Sequence, residues 1–160
     1  MDTIMKTILT GIGATVSLDL WAFLLRLFNI KSLDYRFVGR WLGHLPKGKF
    51  FHKNIVTTPP IKNEVLIGWT AHYLIGISFA CLLVLLYGKS WLDKPTFYPA
   101  FFIGIVTIIA PFLVMQPAFG FGIASSKLPH SNLLRLKSLL THSVYGIGLY
   151  LTALLLTEIW

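Results

Sequence analysis

Charge is what this sequence has least of. Only 12% of its 160 residues are charged, about half the share that coats an ordinary soluble domain. Hydrophobic residues make up 55%, and the mean hydropathy is +0.70. So apolar a chain with so few ionisable groups excludes a soluble enzyme. Cysteine is nearly absent too: Cys81 stands alone, which excludes an intrachain disulfide and a thiolate metal cluster. Its place inside an apolar run predicts a small core residue. Acidic residues number 6 against 14 Lys+Arg, a formal charge of +8. Such an excess suits nucleic acid or an anionic membrane surface, and its position along the chain decides which.

Long apolar runs are what the sequence does have. Four stand out, at Ile4–Ile30, Val65–Tyr87, Phe97–Ala124 and Leu133–Ile159. Each reaches the length of about 20 residues that a helix needs to cross hydrocarbon. Period-two alternation is missing, so a membrane β-barrel is not the reading. Backbone groups in lipid must be satisfied internally, which leaves helices. The fold class is therefore all-α integral membrane, one domain over 1–160 with four transmembrane helices. The first run exceeds the core of a cleavable signal, about 7–15 residues, and reads as a true span.

The basic residues orient these spans. Lys31, Arg36, Arg40, Lys47, Lys49, Lys53 and Lys62 lie between the first two, and Lys127, Arg135 and Lys137 precede the fourth. The other side has Lys6, Lys89 and Lys94, with Arg26 just inside the first span. The positive-inside rule puts the richer segments in the cytoplasm and both termini outside. Topology thus accounts for the charge, and nucleic acid is not a partner.

In the segment 31–62, Phe37, Val38, Trp41, Leu42 and Leu45 share a helical face, with Ser32 or Asp34 as the cap. This predicts an interfacial amphipathic helix on the anionic inner leaflet. Arg36, Arg40, Trp41, Lys47, Lys49 and Lys53 would be its membrane-interface residues. His44, His52 and His130 fall in polar segments and read as solvated or lipid-facing, although Gly39–His44 can fold back beneath the spans.

Spans two and four share His-x-x-x-Gly-Ile, at His72–Ile77 and His142–Ile147. That pattern suggests a parallel 2+2 repeat. His72 and Gly76 share one helix face, as do His142 and Gly146. Thr7, Gly11, Thr15 and Asp19 form a similar strip in span one. Small strips let helices approach closely or leave room for a ligand. Counting about 1.5 Å per residue, Asp19, His72 and Gln116 lie on the order of 12 Å from the cytoplasmic edge and His142 about 6–8 Å. Pro111 and Pro117 bracket Gln116 and predict a broken third span.

Asp19 is the costliest of these residues. An Asp at a helix centre costs about 2.5–3.5 kcal/mol on insertion scales, so a partner, proton or metal must offset it. Asp19, His72, Gln116 and His142 are therefore the candidate ligand- or proton-binding residues. Asp19, His72 and His142 also make a two-histidine, one-carboxylate set for a divalent metal. Two histidines on Gly-bearing faces suggest a haem, but their unequal depth argues against it. Ser78 and Ser143 lack a nucleophile-elbow context, so a hydrolase is disfavoured and no catalytic residue is assigned.

Gly11-x-Gly13 through Asp19-Leu-Trp21, Asp34-Tyr35, Gly39-Arg-Trp-x-Gly-His44, Trp69-x-Ala-His72-Tyr, Pro111-Phe through Gln116-Pro117 and Leu140-Thr-His142 carry a resemblance. Over nearly its whole length the chain resembles an uncharacterised bacterial inner-membrane family, domain of unknown function 2938. The resemblance implies a bacterial four-helix membrane protein and brings no activity or cofactor with it. The first functional reading is a protein that binds or moves a cation, proton or small polar ligand, as a homo-oligomer because four helices alone make a poor pathway. The alternative is a structural or regulatory membrane protein that docks on lipid or a partner. A haem or metal redox enzyme comes last.

Overall fold

A computed structural model describes residues 2–159. Among them lie five helices and no strand: α1 (Thr3–Leu27), α2 (Tyr35–His44), α3 (Glu64–Tyr87), α4 (Phe97–Ala118) and α5 (Ser131–Ile159). Helices α1, α3, α4 and α5 are each long and apolar enough to cross a membrane. They match the four apolar runs, with ends shifted by a few residues. Helix α1 starts at a cap, the Asp2 carboxylate accepting from the Met5 N–H at 2.7 Å. It stops earlier than its apolar run because Asn29 adopts a left-handed φ of 57° and the Ile30 N–H turns back to the Leu25 carbonyl.

Contacts divide the chain into two units. The first holds the chain up to Ser32, Tyr73–Thr107 and Leu139 onward. Its core includes Ala14, Ala80, Leu83, Ile103, Tyr145 and Leu149. Small residues set how closely its helices pass. A methyl added at Gly11 would stand 2.6 Å from the Ile77 Cα, and one at Gly76 would stand 2.0 Å from the Thr15 hydroxyl. The α1 strip of Thr7, Gly11 and Thr15 is accordingly buried. Its threonines satisfy themselves: Thr7 and Thr15 donate to the carbonyls of Thr3 and Gly11 at 2.7 and 2.8 Å. Cys81 is exposed, not part of the core. The inward stripe of α3 runs through Gly76, Ala80 and Leu83, and one further residue turns the side chain about 100° away.

The second unit holds Leu33–His72 and Ile108–Ser138. Helix α2 is capped by Asp34, whose carboxylate accepts from the Arg36 N–H at 3.0 Å and pairs with its guanidinium. That pairing holds the Asp34 carboxyl below its ordinary value. The apolar side of α2 packs on its own chain. Val38, Ile55, Ala118 and Phe119 form a buried cluster, with Phe37, Trp41 and Leu42 against it. The face expected to lie on a leaflet thus meets residues of its own chain. Gly39 makes the crossing with α3 possible, since a methyl there would meet the Glu64 carbonyl oxygen at 1.8 Å.

The third apolar run is broken, as its prolines predict. Helical residues Phe97–Val106 give way to a π-helical turn at Ala110–Met115 and one last α-turn at Gln116–Ala118. Pro111 and Pro117 lack the N–H that an α-helix would use at those positions. The helix therefore ends before Ala124. Gly120, at φ 85°, lies against the backbone of His52 and Lys53, while the His52 and Ile55 N–H groups donate to the Ala118 and Phe119 carbonyls.

Candidate functional site

In the first unit, Asp19 is half-buried on α1 and accepts a hydrogen bond of 2.7 Å from the Tyr73 hydroxyl on α3. Its neighbours along α1 are exposed apolar side chains: Val16, Leu20 and Phe23 are 41%, 60% and 59% exposed. The carboxylate thus sits on an apolar helix and is only partly covered by its own chain. His142 on α5 lies 3.0 Å, through Nδ1, from the Thr107 hydroxyl on α4. That hydroxyl gives its single proton to the Gly104 carbonyl at 2.7 Å, so it accepts from His142 Nδ1–H. In a neutral ring Nε2 then carries the lone pair. Asp19 and His142 make these attachments to different helices. In the same unit, the Trp21 indole N–H is buried with no hydrogen-bond partner among the described residues.

In the second unit, His72 is 8% exposed. Its ring stacks on Tyr35 with centroids 4.0 Å apart and meets the Trp69 ring edge-on at 5.8 Å. Gln116 is 7% exposed, and its side-chain carbonyl oxygen has no hydrogen-bond partner among the described residues. It follows directly on the π-helical turn of α4, a distortion frequent at functional sites.

Of the expected metal set, Asp19 and His142 lie in the first unit and His72 in the second. Among the described residues no group of three or more His, Cys, Asp or Glu side chains is placed to hold a metal ion.

The basic segment also differs from its expected role. Arg36, Lys47, Lys49 and Lys53 are exposed, and Trp41 is half-buried, its indole N–H donating to the Phe50 carbonyl at 2.9 Å. Arg40 faces inward at 8% exposure. It makes a bidentate pair with Glu64, both N–O distances 2.9 Å. Its third nitrogen donates to the carbonyls of Ile55, Val56 and Thr58 at 3.0–3.1 Å. Arg40 therefore clasps the 55–58 segment to α2 and α3. His44 is buried and His52 half-buried, with ring centroids 5.3 Å apart. His130 is exposed.

The model of the family DUF2938, described as a protein of unknown function, matches residues 8–156. The chain belongs to this family. That match covers all four apolar helices and both units. No curated protein and no solved structure matches the chain, so the DUF2938 membership carries no ligand or reaction with it.

Sequence reading missed Tyr73, Thr107 and Glu64 as functional or organising groups, and it named Arg40 without its pairing to Glu64. Tyr73 stands next to His72 in a motif already singled out. Glu64 is the one acid between Asp34 and Asp93, in a segment rich in basic residues, and that isolation was a usable signal.

Proposed function

We propose that this DUF2938 protein is a multi-pass protein of the bacterial inner membrane that binds or moves a proton, cation or small polar ligand through polar side chains within its spans. The observation that carries the reading is Asp19: a half-buried carboxylate on an apolar helix long enough to cross a membrane, accepting a hydrogen bond from Tyr73 at 2.7 Å. Acids within membrane-spanning segments are rare and mark proton and ion pathways. The four apolar helices support membrane insertion, since each carries long hydrophobic side chains such as Leu20, Leu85, Phe102 and Leu155 at 50–80% exposure. A water-soluble surface avoids apolar patches of that extent.

On this reading the basic segments face the cytoplasm and its anionic lipid, the termini face outward, and a homo-oligomer completes the pathway. Spans two and four correspond as a parallel repeat. His142, with a lone pair at Nε2, and Gln116, with an unsatisfied carbonyl oxygen, are further candidate ligands in their respective units. The packing of His72 on Tyr35 and Trp69 favours a second reading for that residue, as a helix-joining side chain in a structural or regulatory membrane protein.

Flux in vesicles separates the two. Wild-type protein reconstituted into vesicles should pass protons, or one of a panel of monovalent and divalent cations, and Asp19→Asn should lower that flux at least about tenfold. If no solute moves or binds, and Asp19→Leu folds with unchanged or higher thermal stability, the structural reading replaces this one.

A further inference from the structure

A second pair of histidines lies outside the four apolar helices. His44 closes α2 and His52 sits in the segment that follows it. The hydrogen bonds around them fix where each ring keeps its lone pair. His44 Nε2 is 3.1 Å from the Pro59 carbonyl oxygen. A carbonyl only accepts, so Nε2 carries the proton and Nδ1 the lone pair. His52 Nδ1 is 3.2 Å from the Thr58 hydroxyl, which gives its own proton to the Asn54 carbonyl at 2.9 Å. Nδ1 is therefore the donor, and the lone pair is on Nε2. These two atoms, His44 Nδ1 and His52 Nε2, are buried and have no hydrogen-bond partner among the described residues.

We propose that His44 and His52 form a two-histidine site for a divalent first-row transition ion such as Zn²⁺. Their ring centroids are 5.3 Å apart and the planes are inclined at 70°. Two imidazoles bound to one tetrahedral zinc at about 2.05 Å place their centroids about 5.2 Å apart, so the existing separation suits a shared ion. Each ring already has the outer attachment that orients a metal-bound histidine, its other N–H given to a carbonyl or hydroxyl oxygen. Neutral imidazole is a good ligand for zinc, copper and nickel. Burial keeps the His52 ring neutral by lowering its pKa, with His44 and Lys49 acting in the same direction and the Lys49 backbone against it. The positive side chains nearby do not preclude a cation. Lys47, Lys49 and Lys53 are exposed and screened over about 8 Å at physiological salt, and Arg40 is already matched by Glu64. Two protein ligands leave the other tetrahedral positions of the ion to water or another small ligand. This inference is independent of Asp19.

The test is calorimetric titration of Zn²⁺ into purified, untagged, chelator-stripped protein in detergent. One ion per chain should bind. His44→Gln and His52→Gln should each weaken it at least tenfold, while His130→Gln, at the exposed histidine, should leave it unchanged. Absence of binding to the wild type, or binding indifferent to both substitutions, overturns the proposal and leaves the two lone pairs to a bridging water. Should either variant fail to fold, Cu²⁺-loaded wild type decides: electron spin echo modulation from two equatorial imidazoles supports the site, and one or none rejects it.

Discussion

Arg40 and Glu64 show how much one residue pair can organise. The guanidinium uses all of its nitrogens, two on the carboxylate and one on three carbonyls, and both side chains are about nine-tenths buried. Removing one partner strands the other as a buried charge, a loss of about 3–5 kcal/mol. Arg40→Met should therefore destabilise strongly, while Arg40→Met with Glu64→Leu should recover most of that loss. Thermal unfolding of the two singles and the double, read as a mutant cycle, checks this coupling. Equal melting temperatures for Arg40→Met and wild type would show that the pair contributes nothing. Sequence alone could not find the clasp. It joins residues 24 apart across a loop of irregular backbone, where no periodicity links the two ends.

At the scale of elements, helix α2 was legible as a helix, while the residues it packs on were not. The face of Phe37, Val38, Trp41 and Leu42 was read correctly, and so was the Asp34 cap. Its partner within the chain was not legible, because amphipathicity states that a face will be covered and leaves open by what. The cover comes from Ile55, Ala118 and Phe119, distant in sequence and partly in the stretch read as the end of a span. Asp34 gives this element a pH dependence of known sign. Its folded pKa lies below the ordinary 3.8, so its contribution is present above that value and is lost as pH falls through the folded pKa. Asp34→Ala should cost about 1 kcal/mol at neutral pH. The difference between wild type and Asp34→Asn in thermal stability should shrink below about pH 4. A difference that stays constant down to pH 2 would contradict this account.

For the whole molecule, hydropathy told most. Four long helices were legible because apolar length is a property of each segment by itself, and the structure has all four. The polar side chains were legible as outliers in those segments: Asp19, His142, His72 and Gln116 do find specific environments. Which groups they meet was not legible, since partners such as Tyr73 and Thr107 are ordinary residues whose roles depend on packing. The proposed orientation makes a further prediction. Reporter fusions after Gly48 should be active in the cytoplasm, and fusions at either terminus in the periplasm, as the basic segments require. The reverse pattern would overturn that assignment.

Cys81 gives the molecule a built-in reporter of self-association. It is the one thiol in the chain and it stands exposed on α3. Any disulfide that mild oxidation produces in the purified protein must then join two chains. Position 81 thus records, with no engineered residue, whether the α3 helices of two copies come face to face.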